Sequence, residues 1–234
     1  MVTRIGLIIL ASDPTIEREW RAMVPAGIDF LVTRIPYDNC CTRDNLVAMS
    51  TYIEDSAHLI LPGQTLDAIA YGCTSASVAI GPDEVTRCVN RARPAVGVAT
   101  PITAALKALG ALRLHRIAVL APYVQDTSDA VITCFTEHGI DVLNSRVLGL
   151  ASDYEIAAVD EQTIIDCCAD LDSPDIEAIF MSCTGLTASH LISTLEEKHQ
   201  KPVLTSNQCL LWQSLRIAGS PTNQVSGYGC LFDY

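Results

Sequence analysis

A block of eleven residues, "DAIAYGCTSAS" at 67–77, returns in altered form as "EAIFMSCTGLT" at 177–187. In each copy an acidic residue opens a short apolar run, and the run ends in Cys followed by Thr. Two more blocks recur at almost the same interval. "RIGLIILASDPT" is answered by "RIAVLAPYVQDT", and "RPAVGVATPITAALKALG" by "KPVLTSNQCLLWQSLRIAG". Arg4 thus matches Arg116, Cys73 matches Cys183 and Pro94 matches Pro202, at spacings of 112, 110 and 108 residues. Such a period is far longer than the roughly 20–50 residues of solenoid repeats. It describes one arrangement built twice, and a chain carrying it folds as two similar lobes related by a pseudo-twofold axis.

The content of each lobe follows from periodicity. Short β-branched runs at 4–10, 28–35, 67–72 and 95–99, and again at 116–122, 140–150, 177–182 and 201–206, read as strands. Helical patterns at 43–60, 83–92, 101–109, 125–138, 153–170, 187–199 and 207–218 lie between them. That alternation means βαβ units and mostly parallel sheets. The expected fold class is therefore α/β: two pseudosymmetric Rossmann-like lobes, with the active site in the cleft between them. The blocks interleave, because the helix at 101–109 leads from the first half into the second. By symmetry the C-terminal helix and tail pack back on the first lobe. The expected division is 1–100 plus 207–234 for one lobe and 101–206 for the other.

Composition excludes several functions. The chain has 234 residues, 49% of them hydrophobic, enough for one large or two small cores. Its net charge of −12 and scattered Lys and Arg leave no basic patch for nucleic acid. Its apolar runs are too short and too often broken to span a membrane. The N-terminal run is followed by Asp13 and Pro14 without a signal-type cleavage site, so it reads as the first strand of a cytoplasmic protein. The ten cysteines read as reduced thiols in a chain too large to need disulfide staples. No C-x2-C pair suggests a metal, and no G-x-G-x-x-G or P-loop suggests a cofactor.

In open parallel sheets, ligands bind beyond the carboxyl ends of the strands. Cys73 and Cys183 both stand there, and a pseudo-twofold turns the two ends toward each other. A single cysteine at such a place is ordinarily a small packed residue. These two are set apart because each holds the matching position in a repeat, whereas the other eight find no partner under the offset and read as core or surface thiols. Residues 74–81 and 184–187 are small or hydroxyl-bearing and precede helices. Their N–H groups and hydroxyls suit a carboxylate, and the same field is expected to lower a thiol's pKa. Ser12, Asp13 and Thr15 fall on the strand-to-helix turn of the first lobe, and Tyr123 takes the equivalent place in the second. As plain structure, Asp13 or Thr15 would cap a helix and Tyr123 would be a partly buried aromatic.

With "YGCTSAS" and "MSCTGL" in two pseudosymmetric lobes, the chain resembles the aspartate/glutamate racemase superfamily. The "SDPTIE" turn, the "RIAVLAPY" strand and both cysteines are most similar to maleate cis-trans isomerases, with arylmalonate decarboxylases second. The resemblance covers essentially the whole chain. It implies a cofactor-free enzyme acting next to a carboxylate, with Cys73 as nucleophile on an alkene carbon and Cys183 handling the proton on the opposite face. The racemase version uses the same thiols as base and acid at a Cα. In the decarboxylases the first-lobe cysteine is usually glycine. Thr74, Ser75 and Tyr123 match carboxylate-binding hydroxyls, and Thr184 and Gly185 supply N–H groups beside Cys183. Two departures stand out. Maleate isomerases carry Asn where Asp13 stands, and tend to carry another Asn near "SDYEIA", where this chain has Asp153-Tyr154. An aspartate at 13 would repel a dianion unless protonated, or would engage an amine. The expected partner is a small carboxylate substrate. Oligomeric state is not legible, although lobed enzymes of this kind often pair as dimers or larger assemblies. Turnover that needs one thiolate and one thiol has a bell-shaped pH dependence.

Overall fold

The computed structural model describes residues 2–234. The first half runs β1 (Thr3–Leu10), α1 (Ile16–Met23), β2 (Ile28–Ile35), α2 (Arg43–Ala48), α3 (Ser50–Leu59), β3 (Ala68–Gly72), α4 (Thr74–Ile80), α5 (Pro82–Ala92), β4 (Val98–Ala99). The second runs α6 (Pro101–Leu112), β5 (Arg116–Tyr123), α7 (Gln125–Glu137), β6 (Asp141–Leu150), α8 (Asp153–Ala157), α9 (Glu161–Leu171), β7 (Ala178–Met181), α10 (Ile192–His199), β8 (Val203–Thr205), α11 (Ser206–Ile217). Each half forms a four-stranded sheet, in the order β2-β1-β3-β4 and β6-β5-β7-β8. All pairings are parallel. The two sheets thus share one topology, as a duplicated α/β chain requires.

The strands that carry the thiols are central in their sheets. β3 and β7 are buried along their whole length, which accounts for their unbroken apolar runs. Register places Ile9 beside Gly72 and Leu120 beside Met181, so the carboxyl ends of neighbouring strands lie together. Gly72 is demanded by this closeness. A Cβ there would lie 2.9 Å from Ile16 Cδ1 and 3.1 Å from Ile9 Cγ2.

The helices that start the crossovers are specified alike in both halves. Thr100 opens α6 and Thr205 opens α11, each in a reciprocal capping box with the residue three positions on. Three expectations fail. The helix expected over 43–60 is two, α2 and α3, parted at Met49. The single helix expected over 153–170 is two, α8 and α9, separated at 158–160, where Asp160 starts a new helix by accepting the Thr163 N–H at 2.8 Å. Residues 74–80 are a helix, not a loop before one: with no Gly or Pro before Gly81, nothing delays helix formation after Cys73.

One hydrophobic cluster runs through the second sheet and across to β1, α1 and α11, and a smaller one fills the space between the first sheet and α3 and α5. Helix α11 lies on α6, β3 and β4. Trp20, fully buried on α1, donates from its indole Nε1 to Asn207 O of α11 at 3.2 Å. The contacts of α11 with β3, β4 and α1 support the division we propose, 1–100 plus 207–234 against 101–206, and its contact with α6 lies across the boundary. Among the described residues no helix is long and apolar enough to cross a membrane.

Candidate active site

The chain leaves its two matching strand ends in different ways. Cys73 is extended, with φ −151 and ψ 117, and forms the N-cap of α4. The first turn of that helix faces its sulfur: the Ala76 N–H donates toward Sγ, and Ser75 Oγ lies 3.7 Å away. Cys183 instead has φ +92. For a residue with a Cβ such a conformation costs roughly 1–3 kcal/mol and persists only where neighbours hold it. Here the Cys183 N–H donates to Ser206 Oγ at 3.1 Å, and the Gly185 N–H donates to Cys183 Sγ at 3.3 Å. Each thiol thus receives a backbone N–H from the residues just after it, reached by two different backbone routes.

Hydroxyl groups stitch the two ends together across the lobes. Thr15 donates to Gly185 O at 2.9 Å, Thr184 to Gly72 O at 3.2 Å, and Thr74 to Ser206 Oγ at 2.9 Å. Ser206 therefore accepts from both cysteine turns. Behind them, buried Glu19 on α1 accepts the Ala188 and Ser189 N–H groups, both at 2.8 Å, and Asn207 Nδ2 at 2.6 Å. The Tyr123 hydroxyl lies 3.1 Å from Ser182 Oγ and against the Cys183 thiol.

Asp13 does the capping that the turn needs. Its Oδ1 accepts the Thr15 N–H at 2.7 Å and the Ile16 N–H at 3.0 Å. Thr15, at the helix start, spends its hydroxyl on the other lobe instead. Ser12 donates to Asp153 Oδ2. Tyr154 points away and is 63% exposed, while Asp153 is buried at 8%. Of the Asp153-Tyr154 pair, then, the aspartate faces the site.

Burial sets the charge states. It pushes the Cys73 thiol far up, opposed by the Ala76 N–H and the Ser75 hydroxyl, and reinforced by the fields of Asp153 and Cys41. It pushes Cys183 up as well, reinforced by Asp153, Cys73 and Cys41 and opposed by the Gly185 N–H. The expected lowering of the thiol pKa is therefore corrected: one N–H per sulfur does not offset the loss of water. Asp13 and Asp153 are raised from their ordinary values, again chiefly by burial. The N–H groups of Thr15 and Ile16 oppose this at Asp13, and the Ser12 hydroxyl opposes it at Asp153.

A cavity of about 370 Å³ opens between α2 and α4 of one lobe and α7 of the other, lined by Cys41, Leu46, Ser75, Val78, Val124 and Thr127 among others. Neither Cys73 nor Cys183 lines it, but Ser75, whose Oγ lies 3.7 Å from Cys73 Sγ, does, which brings the cavity close to that thiol. The segment before α2 straps across the cleft here. Cys41 N–H donates to Ala151 O at 3.1 Å, Thr127 donates to Cys41 O at 2.8 Å, and Asn39 Oδ1 accepts the Asp153 N–H at 2.8 Å.

All ten sequence-derived site residues, Ser12, Asp13, Thr15, Cys73, Thr74, Ser75, Tyr123, Cys183, Thr184 and Gly185, lie on these two strand ends and the turns beside them. Sequence reasoning missed Ser206 and Cys41 as members of the site, and it flagged the Asp153-Tyr154 pair only as a departure from the resembled family without saying which of the two faces the site. Ser206 was hidden because Thr205, which caps α11 as Thr100 caps α6, is not the mate of Thr100 at the spacing read from the sequence. Cys41, read as a core or surface thiol, has no mate in the repeat; it is buried, and it also lines the cavity. Among the described residues no group of three or more His, Cys, Asp or Glu side chains is arranged to hold a metal ion.

A family model described as arylmalonate decarboxylase matches residues 5–232. The arylmalonate decarboxylase of Bordetella bronchiseptica is 32% identical over 136 residues, an alignment that spans 57% of each chain. The maleate isomerase of Nocardia farcinica is 24% identical over 98% of this chain and 95% of its own. A crystal structure of a Nocardia farcinica maleate cis-trans isomerase, a cysteine-to-serine mutant with a covalently bound succinylcysteine intermediate, superposes with a TM-score of 0.91 at 22% identity, covering 99% of this chain and 98% of that one.

Proposed function

The chain belongs to the arylmalonate decarboxylase family, and within it we propose a cofactor-independent isomerase of the maleate cis-trans isomerase type, with Cys73 as nucleophile and Cys183 as proton donor. One observation carries this reading. Two buried thiols stand on equivalent strand ends whose turns are bonded to each other, Thr184 to Gly72 O and both Thr74 and the Cys183 N–H to Ser206 Oγ. The succinylcysteine in the Nocardia farcinica isomerase supports it, because that adduct is a thiol joined to a saturated four-carbon diacid.

Cys73 gives its proton to solvent water before the substrate closes the site, and its thiolate forms a bond to one alkene carbon. The π pair moves to the neighbouring carbon, which takes the Cys183 proton. The former double bond is now single and rotates. Cys183 thiolate recovers a proton from that carbon, the pair re-forms the double bond, and the C–S pair returns to sulfur. Thr74, Ser75 and Tyr123 hold the substrate carboxylate, with Ser12, Asp13 and Thr15 shaping the opposite side and Thr184 and Gly185 presenting N–H groups beside Cys183. Having thiols on both faces of the substrate separates this reading from decarboxylation, in which a single thiol reprotonates one face.

The experiment supplies the purified protein with maleate and its monoamide and follows the trans product by proton NMR. Cys73→Ala is expected to lower turnover by a factor of 10³ or more. Cys183→Ser should accumulate a protein adduct heavier by one substrate, seen by intact mass. The absence of turnover for every cis-alkene acid, together with the absence of an adduct, would overturn the reading.

A further inference from the structure

We infer that Asp153 selects a substrate whose second terminus is a hydrogen-bond donor, a carboxamide, in place of a second carboxylate. The inference rests on the isomerase reading above and names the substrate class of that same site.

Asp153 opens α8 just beyond β6, beside the end of β5 that carries Tyr123. It is held from two directions: its N–H donates to Asn39 Oδ1 at 2.8 Å, and its Oδ2 accepts the Ser12 hydroxyl. Its Oδ1 accepts nothing among the described residues, although the residue is only 8% exposed. Ser12, on the turn after β1, and Asn39, two residues before the cavity-lining Cys41, hold the carboxyl beside the cleft, and its charge raises the Cys73, Cys183 and Cys41 thiols. The residue is buried, yet this oxygen is not sealed off, so a ligand that enters can present a donor to it in place of water and gains by doing so.

The charge around it decides which ligand does so. Asp13 lies close enough to raise Asp153 further. The nearby Arg34 guanidinium spends its donors on Leu10 O, at 3.1 Å, and Asp13 O, at 2.9 Å, and pairs with Glu17. Among the described residues no Lys or Arg donates to Asp153. A dianionic alkene would set its second carboxylate against this carboxyl in a site with little water, where like charges repel strongly. A primary amide offers N–H donors without charge. It also withdraws electrons from the double bond, as thiolate addition requires, which an amine on a saturated carbon would not.

The test compares kcat/KM for maleate and maleamate at pH 7.5, in wild type and in Asp153→Asn. Wild type is expected to prefer the monoamide at least tenfold, and Asp153→Asn to move the ratio at least tenfold toward the diacid. A wild-type preference for maleate, or the same ratio in both proteins, overturns the inference. Should Asp153→Asn fail to fold, the wild-type ratio decides alone. Binding of the saturated analogues succinate and succinamate, read by calorimetry, separates the two readings. Tighter binding of succinamate without turnover of any alkene overturns the isomerase reading and leaves the selectivity standing. Equal binding, or binding of neither, overturns the selectivity.

Discussion

Removing the Ser206 hydroxyl should reach both cysteine turns at once. Ser206 is fully buried, and its Oγ accepts from the Cys183 N–H at 3.1 Å and from the Thr74 hydroxyl at 2.9 Å. In Ser206→Ala the helix start is unharmed, since Ala is a good helix former, and the space left is about that of one oxygen. The cost is in donors without acceptors. The Cys183 N–H cannot turn elsewhere and loses about 1–3 kcal/mol, while the Thr74 hydroxyl can rotate and loses about 1 kcal/mol. The sum is about 2–4 kcal/mol. Unfolding entropy of about 2.1 cal/mol/K per residue, over a chain of 234 residues, converts each kcal/mol to about 2 °C, so Tm should fall by about 4–8 °C. Catalysis should suffer as well. Ser206 helps hold Cys183 at φ +92, and a turn released from that strain moves Sγ. A displacement near 1 Å can cost about 10²-fold, so kcat should fall about 10–100-fold while KM moves less. Calorimetry and steady-state kinetics check both figures. Thr74→Val shares the bond, so the double variant should lose about 1 kcal/mol less than the sum of the two singles. A Tm within 1 °C of wild type with unchanged kcat, or full additivity in the cycle, would refute the bridge.

Three further outcomes are expected. Because burial raises Cys73, kcat/KM should climb about tenfold per pH unit between pH 7 and 9 without a plateau, so that the acid limb of the bell lies higher than an ordinary thiol near 8.5 would place it; a plateau below pH 8 refutes this. The raised thiols should also make the fold labile in alkali. Cys41 is pushed up to about 11 and Cys168 to about 12, so each contribution is whole below about pH 8.5, where the unfolded thiol begins to ionise, and shrinks by about 1.4 kcal/mol per pH unit until the folded thiol ionises too. Urea midpoints at pH 7.5 and 10 should differ accordingly. Gly72→Ala should cost about 1–3 kcal/mol by overpacking and lower kcat, because its Cβ meets Ile16 and Ile9 within 3.1 Å and displaces the backbone next to Cys73; a neutral effect in thermal unfolding would contradict the close approach.

How much of this was legible beforehand depended on whether the signal was local or repeated. Periodicity placed all eight strands, because buried parallel strands such as β3 and β7 write their burial into consecutive apolar positions, while the edge strand β2, found at 28–35 residue for residue, is marked by its β-branched and aromatic residues. The helix over 153–170 broke in two because a cap at Asp160 depends on one side chain reaching back, which pattern averaging smooths over. Tyr154 and Asp153 are adjacent in the chain, yet one is exposed and the other buried in the site. Only the path of the chain after β6 distinguishes them.

The amino-acid sequence by itself determined the duplicated α/β plan, the parallel sheets and the pairing of Cys73 with Cys183. Each of these rests on residue order within a short stretch or on its recurrence at one interval. Tertiary structure alone decided that the two thiols leave their strands by different backbone conformations, that Ser206 joins them, that Cys41 and Asp153 come to the cleft, and that burial raises the thiols where local N–H groups would have lowered them. These outcomes turn on contacts between lobes and on how much water the closed chain excludes, and both exist only once residues more than a hundred positions apart have met.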